Sequence, residues 1–282
     1  MNVLDRIRRD LRRIGLIGSD VPIAAAVSGG SDSVALAHAL HHIASGGDVR
    51  FAGIVHFNHL LRPTSNDDEA LSERLAAALG VPFISGREDV RARARRERRS
   101  MEDAARRARY EFFERARMEL GAGRGVPGVD MALGHTRDDQ AETFLLRLIR
   151  GAGPRGLAGM YPRHGAIVRP LLSCRRQELR DWLSGLAERG VAATAFVDDE
   201  TNQDVAIPRN RVRAELLPML ATRFNPAIVD VLADEADLAR DTWAVLSAAA
   251  DALGTEVDVE RLRAADPAVA RVALWRAMRG AQ

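Results

Sequence analysis

Two short stretches combine residue types that can handle a nucleotide at a spacing that suits the task. The first is Ser28-Gly29-Gly30-Ser31-Asp32-Ser33, set between the apolar run IAAAV (23–27) and a helical pattern beginning near residue 32. Gly29 and Gly30 permit a tight turn and let a ligand approach the backbone. The amides that follow open a helix, where unpaired N–H groups and the dipole favour an anion. Hydroxyls of Ser28, Ser31 and Ser33 can add donors. Asp32 would repel phosphate unless Mg²⁺ lay between them. The plainer alternative is a glycine turn with a Ser/Asp helix cap. The strand before and the helix after favour a phosphate cradle.

The second stretch is LGHTRDDQAETFLLRLIRGAGPRGLAGM, residues 133–160. Thr136 and Asp139 have capping-box spacing. Ala141, Phe144, Leu145, Leu148 and Ile149 then mark one apolar helix face. In the simplest reading Asp138 and Asp139 complement the helix dipole. This helix start also follows a strand, so it should neighbour the first loop. There Asp32 and Asp139 are candidate Mg²⁺ ligands, and His135 could bond to the phosphate-bearing ligand or to charge developing on it.

Other strand ends carry weaker signals. In VHFNHLLR (55–62) two histidines could suggest a metal, but no third ligand is evident. Spacing of three on a strand also turns them to opposite faces. His56 and Asn58 are therefore expected to line an adenine pocket, with Gly134 also near the nucleotide. Residues 91–117 hold eleven Arg against five acidic residues. That pattern suits a solvated helix face with i,i+4 ion pairs, or a surface for RNA phosphates with Arg109 and Tyr110 turned to the site.

The elements that must position these groups alternate. Strands are expected near 23–27, 51–56, 82–85, 130–134 and 166–169, with helices near 32–44, 66–79, 100–120, 137–150 and 175–189. Such alternation predicts an α/β fold with a Rossmann-like parallel sheet and helices on both faces, its ligands beyond the carboxyl ends of the strands. The start, MNVLDRIRRDLRR, reads as an amphipathic first helix rather than a secretory signal. Up to residue 215 there are 34 basic and 29 acidic residues; after it, 7 and 10, in a stretch that reads as helix. The expected division is a catalytic domain over 1–215 and a small helical appendage over 216–282.

Composition excludes several chemistries. The net charge of the 282 residues is only +2, so charge alone does not argue for nucleic acid. Every basic residue is Arg, which rules out a G-x-x-x-x-G-K-[ST] phosphate loop. The one cysteine, Cys174, excludes an intramolecular disulfide and multi-cysteine metal sites. No apolar run approaches the ~18 residues of a membrane span, so a cytoplasmic protein with no membrane partner is expected.

The SGGSDS loop is similar to the signature of N-type ATP pyrophosphatases, the PP-loop enzymes. The stretch from Gly134 to Met160 resembles GHxxDDQAETxLxRxxRGxGxxGLxGM of the tRNA(Ile)-lysidine synthetase family. HFNHLLR (56–62), AARRARYEFF (104–113), RPLL (169–172) and FVDDETNQDVAIPRNRVRAELLP (196–218) follow that family in order. Thr201 stands where Ser is usual, and Thr136 where a His often follows His135. The resemblance implies an enzyme that uses ATP and Mg²⁺ to join free L-lysine to C2 of the wobble cytidine of a tRNA(Ile) with a CAU anticodon. The base is first adenylated, releasing pyrophosphate, and the lysine ε-amine then displaces AMP.

By matching motif, Ser28 to Ser33 hold pyrophosphate, and Asp32, Arg109, His135 and Asp139 are catalytic candidates. Arg62, Asp138, Arg209, Asn210 and Arg213 face substrate more loosely. The helical tail is short beside the C-terminal regions of many members, so the chain reads as a short form; a homodimer is one assembly open to it. The rival readings are a PP-loop tRNA thiolase, which one cysteine disfavours, and a catalytically incomplete RNA-binding relative. GMP- or NAD-synthetase-type enzymes lack the second stretch.

Overall fold

Residue parity along the first strand decides the two faces of the sheet. The computed structural model describes residues 2–197, 204–254 and 258–280. In β1 (Ile23–Ala26), Ile23, Ala25 and the following Val27 enter one buried cluster, while Ala24 and Ala26 enter another. A strand buried on both sides reads as an unbroken apolar run, as IAAAV does. β1 pairs in parallel with β2 (Phe51–Asn58) and β4 (Asp130–Leu133). β3 (Phe83–Arg87) pairs in parallel with β2, and β6 (Ile167–Val168) with β4.

The expected strands are all present, and a short antiparallel edge strand, β5 (Arg163–His164), is added beside β6. Its two residues are exposed and carry no apolar signal. The sheet order is β3-β2-β1-β4-β6-β5. Chain progression therefore reverses between β1 and β4, and the crevice beyond their carboxyl ends is where such folds bind ligands.

One face of the sheet is covered by α1 (Val3–Arg13), α2 (Ser31–Ser45), α3 (Ser65–Leu79) and α8 (Arg176–Glu188), through Ile7, Leu11, Leu36, Leu40, Leu75 and Leu179. Each of these side chains is fully buried, stabilising the fold by about 1.5–3 kcal/mol. The other face is covered by α4 (Val90–Glu97) and α5 (Met101–Ala122), with Val90, Ala108, Phe112 and Leu120 inward. α4 is the one short helix of this layer that the arginine-rich sequence hid.

By packing, the chain forms two compact units: Met1–Asp139 with Tyr161–Gln203, and Gln140–Met160 with Asp204–Gln282. The compositional break near 215 thus falls inside the second unit, which also takes in residues 140–160. α6 (Arg137–Ile149) begins in the first unit and continues in the second. The second unit also holds α7 (Pro154–Leu157), α9 (Pro208–Arg211), a π-helical turn (Val212–Leu216) and α10 (Leu217–Arg223). α11 (Ile228–Asp251), α12 (Val259–Ala264) and α13 (Pro267–Gly280) complete it. Ala141, Phe144 and Leu145, the apolar face expected for α6, pack with Val212, Leu217, Val229 and Leu232. Leu148 and Ile149 of the same pattern are exposed. Among the described residues no single helix is long and apolar enough to cross a membrane.

Candidate functional site

The loop after β1 is shaped by its own residues. Gly29 has φ +92°, a backbone conformation that favours glycine, and Gly30 caps α2 in extended backbone. The Gly30 carbonyl accepts from the Ser33 and Val34 amides, each at 3.1 Å. Ser33 Oγ donates to the same carbonyl at 2.8 Å and accepts from the Ser28 amide at 3.1 Å. Ser33 therefore cinches the loop, while helix geometry leaves the first amides of α2 without intrahelical acceptors. Ser31 Oγ donates to Asp32 Oδ1 and accepts from Arg180 Nε, both at 3.3 Å. The Val197 amide closes the far side of the loop on the Gly29 carbonyl at 2.9 Å.

The second stretch lies against this loop, as its place after β4 requires. A Cβ on Gly134 would stand 3.1 Å from backbone atoms of both Asp32 and Ser33. Glycine lets the end of β4 meet the first turn of α2 this closely without crowding. Thr136 supplies the expected cap: its amide and hydroxyl donate to Asp139 Oδ2 at 2.8 and 2.9 Å. His135, half-buried, lies between Gly134 and this cap.

No local sequence pattern marks Arg176, the first residue of α8. Its Nε donates to Asp32 Oδ2 at 2.9 Å and its Nη2 to Asp139 Oδ1 at 3.0 Å. Its backbone amide donates to Asp138 Oδ2 at 2.7 Å, and Arg175 Nε lies 3.4 Å from the same oxygen. The starts of α2, α6 and α8 thus converge, each bringing the positive end of a helix dipole. Burial pushes the Asp32 carboxyl above the usual carboxylate range; Arg176 opposes this and Asp139 adds to it.

At the end of β2 the expected residues part company. His56 is buried, with Nδ1 on the Val27 carbonyl at 2.8 Å and near Ser72 Oγ at 3.1 Å. Ser72 gives its hydrogen to the Asp68 carbonyl, so Nδ1 carries the proton and Nε2 is an acceptor. Nε2 is buried and makes no hydrogen bond among the described residues.

Asn58, expected beside the nucleotide, anchors the loop that follows. Its amide donates to the Ser65 carbonyl, Asn66 Oδ1 and Glu69 Oε2, and its Oδ1 accepts from the Leu60 amide. Both ends of the side chain are engaged within the protein. Arg62 pairs at 2.6 Å with Asp68, whose Cβ would touch a side chain placed at Gly29.

Arg109 of α5 is half-buried, its Nε without a hydrogen bond among the described residues; burial holds its pKa below the usual guanidinium value. Arg169 is buried, with one guanidinium nitrogen on the Tyr161 carbonyl at 2.7 Å. Burial lowers Arg169 as it does Arg109, and Tyr110 opposes the shift in both. Elsewhere in 91–117 ion pairing prevails: Arg93 meets Glu88, Glu97 and Glu111, and Arg99 meets Asp103.

Arg209, Asn210 and Arg213 belong to the second unit. Arg209 Nε and Arg213 Nε donate to Glu142 at 2.7 and 2.6 Å, and that carboxylate is fully buried. Asn210 donates to the Asp204 carbonyl at 3.0 Å. Glu142, four residues beyond Asp138, is a polar partner the sequence reading passed over. Thr201, with the rest of 198–203, lies outside the described residues.

A family model describing a PP-loop domain matches residues 7–220. The tRNA(Ile)-lysidine synthase of Geobacter sulfurreducens is 43% identical over 249 residues, covering 87% of this chain and 50% of the relative. That of Solibacter usitatus is 37% identical over 279 residues, covering 95% and 58%. The chain spans about half the length of these curated relatives. Among solved structures, the U34-tRNA thiolase NcsA from Methanococcus maripaludis with its [4Fe-4S] cluster aligns with TM-score 0.60 and 14% identity. It covers 84% of this chain and 77% of that one, a likeness of fold alone. With three quarters of its length matched by that model, and the glycine loop seated where β1 and β4 diverge, the chain belongs to the PP-loop domain family.

Proposed function

We propose that this chain carries the ATP-using centre of a tRNA(Ile)-lysidine synthetase, acting in the cytoplasm on a CAU-anticodon tRNA and free L-lysine. The observation that carries the reading is the contact of Gly134 with Asp32 and Ser33, which puts both motifs on one crevice. The curated relatives that share these motifs are tRNA(Ile)-lysidine synthases, and this supports the choice of substrate.

The crevice suits a nucleotide triphosphate. Gly29 and Gly30 place no side chain on the turn, and the first amides of α2 face the loop end of β1. Ser28 to Ser33 would hold the β,γ-pyrophosphate. Mg²⁺ is commonly held by one or two carboxylates together with substrate phosphates. Asp32 and Asp139, bridged by one guanidinium, fit that donor set. The ion would screen phosphate charge from them. His135 and Arg109 are assigned to charge on the α-phosphate, and Asp138, Arg62, Arg209, Asn210 and Arg213 to substrate. His56 Nε2, a buried acceptor, suits an amino donor on a base.

In the reaction, the C2 oxygen of cytidine attacks the α-phosphorus and the bond to the pyrophosphate breaks. The lysine ε-amine then attacks C2, loses a proton and expels AMP. No covalent enzyme group is needed, so the protein works by positioning and by stabilising charge. Cys174 fits no sulfur-transfer role: it is buried and its thiol is pushed up to about 11 by burial.

The test is incorporation of labelled lysine into tRNA, with AMP and pyrophosphate measured together. Stoichiometric release is expected only with the CAU-anticodon tRNA. Equal turnover on unrelated tRNAs, or turnover only with a sulfur donor, would sink the proposal.

A further inference from the structure

Asp32 and Asp139 each have one oxygen held from nearby in sequence. Ser31 Oγ meets Asp32 Oδ1, and Thr136 meets Asp139 Oδ2. Their other oxygens share the two nitrogens of Arg176. A guanidinium cannot lose its proton, so this cation leaves only by moving. The Arg176 side chain is 20% exposed, and its backbone is held separately, by the amide bond to Asp138, so a turn of the side chain need not shift α8.

Two carboxylates here share a single monovalent guanidinium, so the pair would gain from a more highly charged cation. The guanidinium fork matches phosphate oxygens as well as carboxylates.

We infer that Arg176 is an exchange cation: it holds Asp32 and Asp139 until a pyrophosphate group arrives with a divalent metal ion, then yields both carboxylates to the metal and turns to the phosphate oxygens. The inference rests on the reading of the crevice as a phosphate site. It makes Arg176 a positioning residue for the metal and a direct ligand for the leaving group. No bond is made or broken; one set of charge-assisted hydrogen bonds replaces another.

The experiment uses Mn²⁺ as the metal and inorganic pyrophosphate as the anion, with no tRNA and no turnover. Free Mn²⁺ is followed by electron paramagnetic resonance. Loss of two charged hydrogen bonds corresponds to about tenfold or more in affinity. Arg176→Gln should accordingly bind Mn²⁺ alone more tightly than the unmodified protein. It should bind pyrophosphate with Mg²⁺ more weakly, by a similar factor. Arg176→Lys keeps the charge but loses the fork; it should recover most of the pyrophosphate affinity while still binding Mn²⁺ more tightly than Arg does.

A Gln variant unchanged in either affinity overturns the exchange. If that variant fails to fold, the Nε–H resonance of Arg176 in the unmodified protein decides. It should shift on adding Mg²⁺ with pyrophosphate, and an unmoved resonance overturns the inference. Failure of the unmodified protein to bind pyrophosphate at all would instead remove the phosphate reading, and the exchange with it. A protein that binds pyrophosphate but ligates no lysine to tRNA leaves the exchange standing and sinks only the lysidine assignment.

Discussion

A methyl group at Gly134 would be crowded: the nearest atoms, at 3.1 Å, are backbone of Asp32 and Ser33. Those neighbours cannot rotate away as a side chain could, so Gly134→Ala must push the end of β4 off the start of α2 by a few tenths of an ångström. Misplacing reacting groups on that scale lowers turnover by roughly 10–100-fold. Pyrophosphate release should fall by that factor while the melting temperature drops only a few degrees, as for a modest overpacking cost of about 1–3 kcal/mol. Undiminished turnover would show that the two motifs need not touch. The loop and the second aspartate-bearing stretch were legible in the sequence because each follows a strand end. Arg176 was not, because its bond to Asp32 spans 144 positions and no local pattern encodes it. The partners of Asn58 were hidden for a related reason: Ser65, Asn66 and Glu69 are brought in by the turn that follows β2.

Among the elements, apolar periodicity found the parallel strands and the long helices, and irregularities escaped it. In β2, Ala52 enters the cluster under α5 but Ile54 enters the opposite one and Val55 returns, while the pairing with β1 slips between Ile23 and Ala24. Gly53, at φ +146° and with a would-be Cβ 2.5 Å from the Pro82 carbonyl, absorbs that slip. A lone glycine in a strand is a faint signal for a bulge. Within the second unit, the buried Glu142 ties α6 to α9 and the π-helical turn through Arg209 and Arg213. Removing the charge from a buried carboxylate leaves two guanidiniums short of an anion, at a cost of about 3–5 kcal/mol. Glu142→Gln should lower the urea midpoint accordingly, and a loss under about 1 kcal/mol would mean that solvent already carries most of the pair.

For the molecule as a whole, stability should depend on pH through histidines held neutral in the fold. His38, His56 and His59 all have pKa values lowered chiefly by burial, and His59 reaches about 4, with Arg109 and His56 adding repulsion. Its ring stands edge-on to Phe57 at 4.6 Å, an apolar neighbour that offers nothing to a proton. Between the unfolded value of about 6.5 and the folded value, the unfolded chain binds the extra proton, so stability is complete above about pH 6.5 and falls as the pH drops toward 4. Asp32 has the opposite sign, because a raised carboxyl binds its proton more readily in the folded state. A whole-protein titration therefore mixes the two, and a difference between variants separates them. Comparing the unmodified protein with His59→Gln, the gap in unfolding free energy should shift by about 2 kcal/mol between pH 7.5 and pH 5, the unmodified protein losing more. The measurement is a pair of urea titrations at each pH. A gap that stays constant would mean that His59 takes up its proton in the folded state as easily as in water, and that the buried end of β2 is open to solvent.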